Sequence, residues 1–365
     1  MLFQNIYKGK KVLITGHTGF KGAWLSLWLK KLGAEVIGVG LNPISGDSFF
    51  SVNNINKFID DFRFDIRDLN KIKNIIINSE PDFVFHLAAQ SLVRKSYLDP
   101  LETWSTNLIG TLNLLESLKK LKKKCACVLI TSDKCYQNNE WVWGYRETDR
   151  LGGSDPYSAS KASSELAIKS YFDSFFNNGE SLVRITSARA GNVIGGGDWS
   201  ADRIVPDCIR AWSKGESVQL RSPNSTRPWQ HVLEPLSGYL FLASKLYQNE
   251  KYNGESFNFG PSISENFSVL ELVKVMGKYW DKVSWEDVSE NNEKLYESGL
   301  LKLSCDKALD MLNWKSTLQF NETIRFTVEW YKEFYEIKEN ISKKSSDQIN
   351  DYVSYADKLS LDWTK

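Results

Sequence analysis

A β-branched run, Lys11–Thr15 (KVLIT), leads directly into Thr15-Gly16-His17-Thr18-Gly19-Phe20-Lys21-Gly22, and an apolar stretch at helical spacing follows. Glycines at every third position between a strand and a helix leave few folds open. Gly16 permits a tight turn, Gly19 lets backbone approach a pyrophosphate, and Gly22 lets the helix pack closely on the strand. The helix N-terminus then offers free N–H groups to a phosphate anion. The end of the next strand, Gly38-Val39-Gly40-Leu41-Asn42, has no acid for a ribose 2′-hydroxyl and no Arg for a 2′-phosphate, although Lys21 could reach one. The loop therefore leaves NAD and NADP both open. Asp65-Ile66 is a partner for the adenine, and His86 reads as a buried histidine.

The alternation along the next 170 or so residues is the mark of a parallel sheet. Strands are expected at Lys11–Thr15, Glu35–Val39, Phe62–Asp65, Phe83–Ala88, Cys127–Thr131 and Val183–Ser187. Helices are expected at Ala23–Leu32, Pro100–Leu121 (with Trp104, Leu108, Leu112 and Leu115 on one stripe) and Pro156–Phe176. Such a chain is an α/β protein, a doubly wound parallel-sheet Rossmann domain, with ligands beyond the carboxyl ends of its strands. After Ala188 the alternation breaks at the glycine-rich Gly191–Asp198. The expected division is a dinucleotide-binding domain over 1–188, to which a helix in 232–250 returns. A smaller mixed α/β substrate-binding domain would come from 189–231 and 251–335, and 336–365 is a polar tail expected to pack poorly.

Charge and length narrow the function. The 365 residues carry 46 Lys+Arg against 45 Asp+Glu, and such a balance argues against a nucleic-acid-binding surface as the main role. The basic run Lys119–Lys124 falls at a helix C-terminus, where cations offset the macrodipole. The five cysteines and three histidines are scattered, which argues against a disulfide framework or a zinc site. No long apolar run and no signal peptide are present, so the expectation is a soluble cytoplasmic protein.

Tyr157 and Lys161 lie four residues apart at the start of a helix, so phenol and ammonium share one face. A lysine cation favours the phenolate, and such a tyrosine can take a proton from an alcohol as hydride leaves the same carbon. Upstream, the fifth strand ends in Thr131-Ser132-Asp133-Lys134. A serine beside the tyrosine suits alcohol oxidation. The adjoining acid and base go beyond that need and could expel a second hydroxyl, although a solvated acid–base pair is an equal reading of the triplet alone.

Together these residues resemble the extended short-chain dehydrogenase/reductase superfamily, and within it the sugar-nucleotide 4,6-dehydratases. The resemblance runs from Gly9 to about Tyr331. It rests on GHTGFKGAWL (Gly16–Leu25), HLAAQSLVRKSY (His86–Tyr97), TSDKCYQNNEWVWGYRETD (Thr131–Asp149), DPYSASK (Asp155–Lys161), RAGNVIGGGDW (Arg189–Trp199) and RPWQHVLEPLSGYL (Arg227–Leu240). It implies an NAD-dependent dehydration of CDP-glucose to the 4-keto-6-deoxy sugar, in deoxysugar biosynthesis. Another nucleotide-sugar 4,6-dehydratase, a 4-epimerase or an NAD-sensing protein without turnover are the alternatives.

By position, the resemblance makes Tyr157 and Lys161 the oxidation pair, Ser132 the catalytic hydroxyl, Asp133 the acid for the C6 hydroxyl and Lys134 the base for the C5 proton. It puts Gly16, His17, Thr18, Gly19, Phe20, Lys21, Gly22, Asp65, Ile66, Leu87, Ala88, Ala89, Gln90 and Thr106, with Tyr157 and Lys161, on the cofactor. Ser91, Asn192, Arg221, Arg227 and His231 fall to the substrate, and no metal is implied. A homodimer, or a higher homo-oligomer, is implied as well, through a four-helix interface of the two long helices. The chain departs from the family at Tyr296-Glu297-Ser298 and Leu301-Lys302-Leu303-Ser304, where relatives tend to read His-Glu-Ala and Leu-x-Leu-Asp.

Overall fold

A computed structural model describes residues 1–289 and 299–365. Seven parallel strands form its main sheet in the order β7-β6-β5-β4-β1-β2-β3. They are β1 (Lys11–Thr15), β2 (Glu35–Gly40), β3 (Asp60–Arg63), β4 (Phe83–His86), β5 (Cys125–Ile130), β6 (Val183–Arg189) and β7 (Ser256–Asn258). The central strands are buried along their whole length, which is why they read as continuous apolar runs rather than alternating ones. The strand order reverses between β1 and β4, the two strands running parallel, and a crevice opens there.

Helices cover both faces of the sheet. On one side α2 (Leu69–Ser79), α4 (Gly110–Leu118) and α5 (Pro156–Tyr171) bury Ile72, Ile76, Leu114, Leu118 and Ile168. On the other, α1 (Phe20–Lys31), α6 (Leu233–Gln248) and α7 (Phe320–Glu336) enclose a core rich in aromatics, including Trp24, Trp28, Tyr239 and Trp330. Every expected strand and helix of the first 190 residues is present, with ends that differ by up to a few residues. β3 starts two residues early. It is an edge strand with Phe62 exposed, so burial does not mark its bounds.

The expected helix over 100–121 is built differently. α3 (Pro100–Trp104) passes through a π-turn at Ser105–Ile109 before α4 begins. The buried face carries Thr103, Asn107, Thr111 and Leu114, while Trp104, Leu108 and Leu112 stay half-exposed. A π-turn adds one residue to the turn and rotates the helix beyond it. Asn107 explains its place: its side chain accepts from Gln90 N (2.8 Å) and donates to Gln90 O (3.0 Å) and Ser160 Oγ (2.8 Å). It thereby pins the loop after β4 to α5.

Beyond β6 the chain makes three small two-stranded pairings: 193–194 with 230–231, 226–227 with 267–268, and 218–220 with 285–287. The expected division of the chain is crossed twice. Ser256–Asn258 joins the main sheet as β7, since its backbone pairs with β6. The segment after residue 335 packs well, contrary to expectation, because α8 (Ile341–Lys358) is amphipathic beneath its polar composition. It buries Ile341, Ile349, Tyr352 and Ala356, and beyond it Trp363 stacks on Tyr352 and Phe3. The basic run Lys119–Lys124 does close a helix end, with Lys119 on Glu116, Lys123 on Asp82 and Lys124 over the Tyr247 ring. Among the described residues no helix is long and apolar enough to cross a membrane.

Candidate active site

The crevice at the carboxyl ends of β1, β4 and β5 widens into a cleft of about 1150 Å³. Its floor is the glycine loop. Gly16 has φ +76°, and a Cβ there would meet the Ala88 nitrogen at 2.7 Å. A Cβ on Gly22 would lie 2.2 Å from the Gly16 carbonyl oxygen. Only hydrogen fits at either position, so the loop folds back tightly and presents the start of α1 to the cleft. A dinucleotide pyrophosphate suits such a cradle. Thr18, Gly19, Phe20, Lys21, Asp65, Ile66, Leu87, Ala88, Ala89, Gln90 and Thr106 line the same space.

His17 does not. Its ring is buried above Gly38 and Gly40, and its Nε2 meets Asp61 Oδ1 at 2.8 Å. The side chain supports the loop from behind. Asp65 lines the cleft with its carboxylate already bound by Arg67, which holds it below the usual carboxylate range. His86 is a core residue, between Thr15 Oγ1 (2.7 Å) and Thr111 Oγ1 (3.1 Å).

Ser132, Asp133 and Lys134 form a single turn at the end of β5. The Ser132 hydroxyl accepts from Lys134 N (3.2 Å) and donates to Asp133 Oδ1 (2.9 Å). Asp133 is buried, and its other oxygen accepts from Asn192 Nδ2 at 3.1 Å. The carboxylate lies flat on Gly191, where a Cβ would stand 1.9 Å from Oδ2. Lys134 reaches into the open part of the cleft.

Opposite, α5 begins with Asp155 as its cap, accepting from Ser158 N at 2.9 Å, and Pro156 in its first turn. This start puts Tyr157 against Ser132. Burial lifts the phenol to about 12, while the Ser132 hydrogen bond and the Arg203 charge pull the other way. One turn on, Lys161 is buried and donates to the Ile130 carbonyl at 3.4 Å. Burial brings its ammonium down to about 8, against the charge of Glu165. Lys21, 5.8 Å above the Tyr239 ring, falls to about 7 through burial and then through Lys161 and Arg203. Lys21, Lys161 and Arg203, the last paired with Asp198, thus stand about the Tyr157 phenol and the Asp133 carboxylate, an arrangement that favours anionic ligands and a developing oxyanion.

On the far wall Ser91, Asn192, Arg221 and Arg227 line the cleft as expected. His231 does not join them. Its ring packs between Trp24 and Phe326 in the core, and burial drives it down to about 3. Its neighbours in sequence are core residues of the α6 entry, so the chain turns it inward. Of the departures from the family pattern, Tyr296-Glu297-Ser298 lies outside the described residues. Leu301 and Leu303 pack with Cys135 and Tyr136 behind the Ser132–Lys134 turn.

Arg203 and Glu165 escape sequence reasoning. Arg203 sits in a loop without a motif, pairs with Asp198 at 2.7 Å and lines the cleft. Glu165 has a signal: it continues the four-residue spacing of Tyr157 and Lys161.

The whole chain has known counterparts. The family model for GDP-mannose 4,6 dehydratase matches residues 13–327. A CDP-glucose 4,6-dehydratase of Salmonella typhimurium is 45% identical over 358 residues, 97% of this chain and 99% of that protein. Among solved structures, a UDP-glucose 4-epimerase of Thermotoga maritima with UDP-glucose superposes at a TM-score of 0.76, with 25% identity over 89% of this chain and 100% of that one. A dTDP-glucose 4,6-dehydratase of Streptomyces venezuelae with NAD bound also gives 0.76, at 20% identity over 88% and 97% of the two chains. With a family model over most of its length and a glycine cradle facing Ser132, Asp133 and Tyr157, this chain belongs to the GDP-mannose 4,6-dehydratase family.

Proposed function

We propose that the protein dehydrates CDP-glucose to CDP-4-keto-6-deoxyglucose with no net redox change. The observation that carries this reading is the Ser132–Lys134 turn: Ser132 and Asp133 act on Tyr157, and Lys134 lines the same cleft, floored by the glycine cradle. The nucleotide follows from the 45% identical relative. Gly16, Thr18–Gly22, Asp65, Leu87–Gln90 and Thr106 would hold NAD, which when bound would accept hydride from C4 and return it to C6. Tyr157 takes the C4 hydroxyl proton with Ser132 holding the same oxygen. The resulting ketone acidifies C5–H, whose proton goes to Lys134 as the free amine, or to its neighbour, and comes back to C5 as hydride adds to C6. Asp133 protonates the departing C6 hydroxyl. The order is forced, since a C–H bond yields its proton only once the neighbouring carbonyl can carry the charge as an enolate. Asn192 and Arg227 would hold the diphosphate, which a guanidinium fork suits, and Arg221 lines the same wall. Residues of segment 189–231, with Val269 from 251–335, line this nucleotide-sugar wall.

The reading makes the protein a cytoplasmic enzyme of deoxysugar synthesis and a homodimer. Leu101, Ile109, Leu166 and Phe175 are exposed on the two long helices, in keeping with a helix-to-helix interface. Sedimentation should give twice the monomer mass, and a stable monomer at assay concentration would remove the dimer.

Incubation with CDP-, dTDP-, GDP- and UDP-hexoses tests the function. A product one water lighter, formed fastest from CDP-glucose, is expected. A product of unchanged mass would instead indicate 4-epimerisation, and steady accumulation of reduced cofactor would defeat the proposed cycle.

A further inference from the structure

Glu165 touches neither cleft nor solvent, yet it is the point at which three elements of the site are joined. It stands one turn beyond Lys161 on α5, as Lys161 stands one turn beyond Tyr157. One carboxylate oxygen accepts from the Thr131 hydroxyl, at the residue before Ser132. The other accepts from Ser187 Oγ (2.8 Å) and Arg189 Nη2 (2.7 Å), both on β6. Arg189 is fixed in turn by Tyr136 OH (2.8 Å) and the Glu147 carbonyl (3.1 Å). Glu165 and Arg189 are each 3% exposed. Ions so deeply buried are costly unless their hydrogen bonds are filled, and leaving one partner alone is strongly destabilising.

We propose that Glu165 is a positioning residue for the reaction: its clamped carboxylate sets the spacing between the Ser132 turn and Tyr157, and holds Lys161 as an ammonium. The inference rests on the dehydratase reading above. Position follows from the hydrogen bonds, because Thr131 moves with Ser132 while Tyr157 and Lys161 move with Glu165. A shift of β5 against α5 would have to break the Thr131 bond.

The charge is set by the groups around Lys161. Cys135 from the turn after β5, Lys21 from the glycine loop and His86 from β4 all act on or feel it. Of these, Lys21 adds positive charge, and the buried thiol and imidazole add no firm anion at neutral pH. Glu165 is the strongest opposing charge on Lys161. Burial works against the Glu165 carboxylate, but Arg189 and the two hydroxyls keep it ionised. Lys161 stands at about 8 with that support, so without it the ammonium is lost at lower pH, and with it the cation that the dehydratase reading pairs with Tyr157.

The test is the pH dependence of kcat on CDP-glucose for wild type and Glu165→Gln, with KM and Tm alongside. The variant should keep KM within about twofold and move the alkaline limb down by about one pH unit, a tenfold fall in kcat above the limb. A purely structural role would lower Tm and leave the limb in place, and an unmoved limb overturns the inference. If Glu165→Gln alone fails to fold around an unpaired Arg189, the double variant Glu165→Gln, Arg189→Met removes both charges and should show the same downward move. Failure of both to fold assigns the pair to stability alone and overturns it too. A wild type without turnover on any nucleotide hexose defeats the dehydratase reading itself, which the limb of an active enzyme does not.

Discussion

Gly191 carries no chemistry, but the Asp133 carboxylate lies where its side chain would be. Gly191→Ala must push the acid aside by an ångström or more, since the new Cβ would stand 1.9 Å from Oδ2. Misplacement on that scale costs about 100-fold in kcat, with the fold intact and KM little changed; steady-state kinetics beside a melting curve would show it. Tyr157→Phe removes the only phenol against Ser132 among the described residues. Its turnover should drop by about 10²–10⁴-fold, while cofactor titration reports unchanged affinity. Single residues are only partly legible in the sequence. Tyr157, Lys161 and the Ser132–Lys134 turn carry their chemistry in their spacing. His17 and His231 lie within motifs too, yet a motif does not say which way a ring points, and both rings point into packed interior.

At the scale of elements, the first turn of α5 decides where Tyr157 stands. Asp155→Ala leaves the Ser158 amide without its acceptor and should lower unfolding free energy by about 1 kcal/mol, read by denaturant titration, with a fall in kcat as the turn frays. The strands and the helix at 156–176 are legible because buried parallel strands and a capped helix leave strong local patterns. The π-turn at Ser105–Ile109 is not. Of the expected stripe only Leu115 is buried and Trp104, Leu108 and Leu112 stay half-exposed, because a polar side chain, Asn107, is drawn inward to tie Gln90 to Ser160. That demand is tertiary and leaves no periodicity.

For the whole molecule, Glu234 gathers distant parts of the chain. From the start of α6 its buried carboxylate accepts from the amides of Thr317 and Leu318 and from Tyr352 OH on α8 at 2.9 Å. Burial raises its pKa to about 7 despite those bonds. A carboxyl held above its unfolded value favours the fold at low pH. That contribution is lost as pH climbs from the unfolded carboxylate range through 7, to a total on the order of 3 kcal/mol. Between pH 5 and 8 wild type should therefore lose melting temperature relative to Glu234→Gln, and parallel curves would refute the assignment. The C-terminal segment misleads a reading by composition for a related reason. Its polar residues face water, and the few apolar ones that make it part of the core are too widely spaced to stand out.

Ser132, Asp133 and Lys134 ride on one rigid turn with its own internal hydrogen bonds. The hydroxyl and the acid cannot be adjusted independently, and the backbone that carries the amine moves with them, so one jaw of the vise is fixed. Fitting a different hexose, or letting a product go, must then fall to the opposite jaw, built from loops and short strand pairs. Evolution toward new sugars in this scaffold should rewrite that side and leave the tripeptide alone.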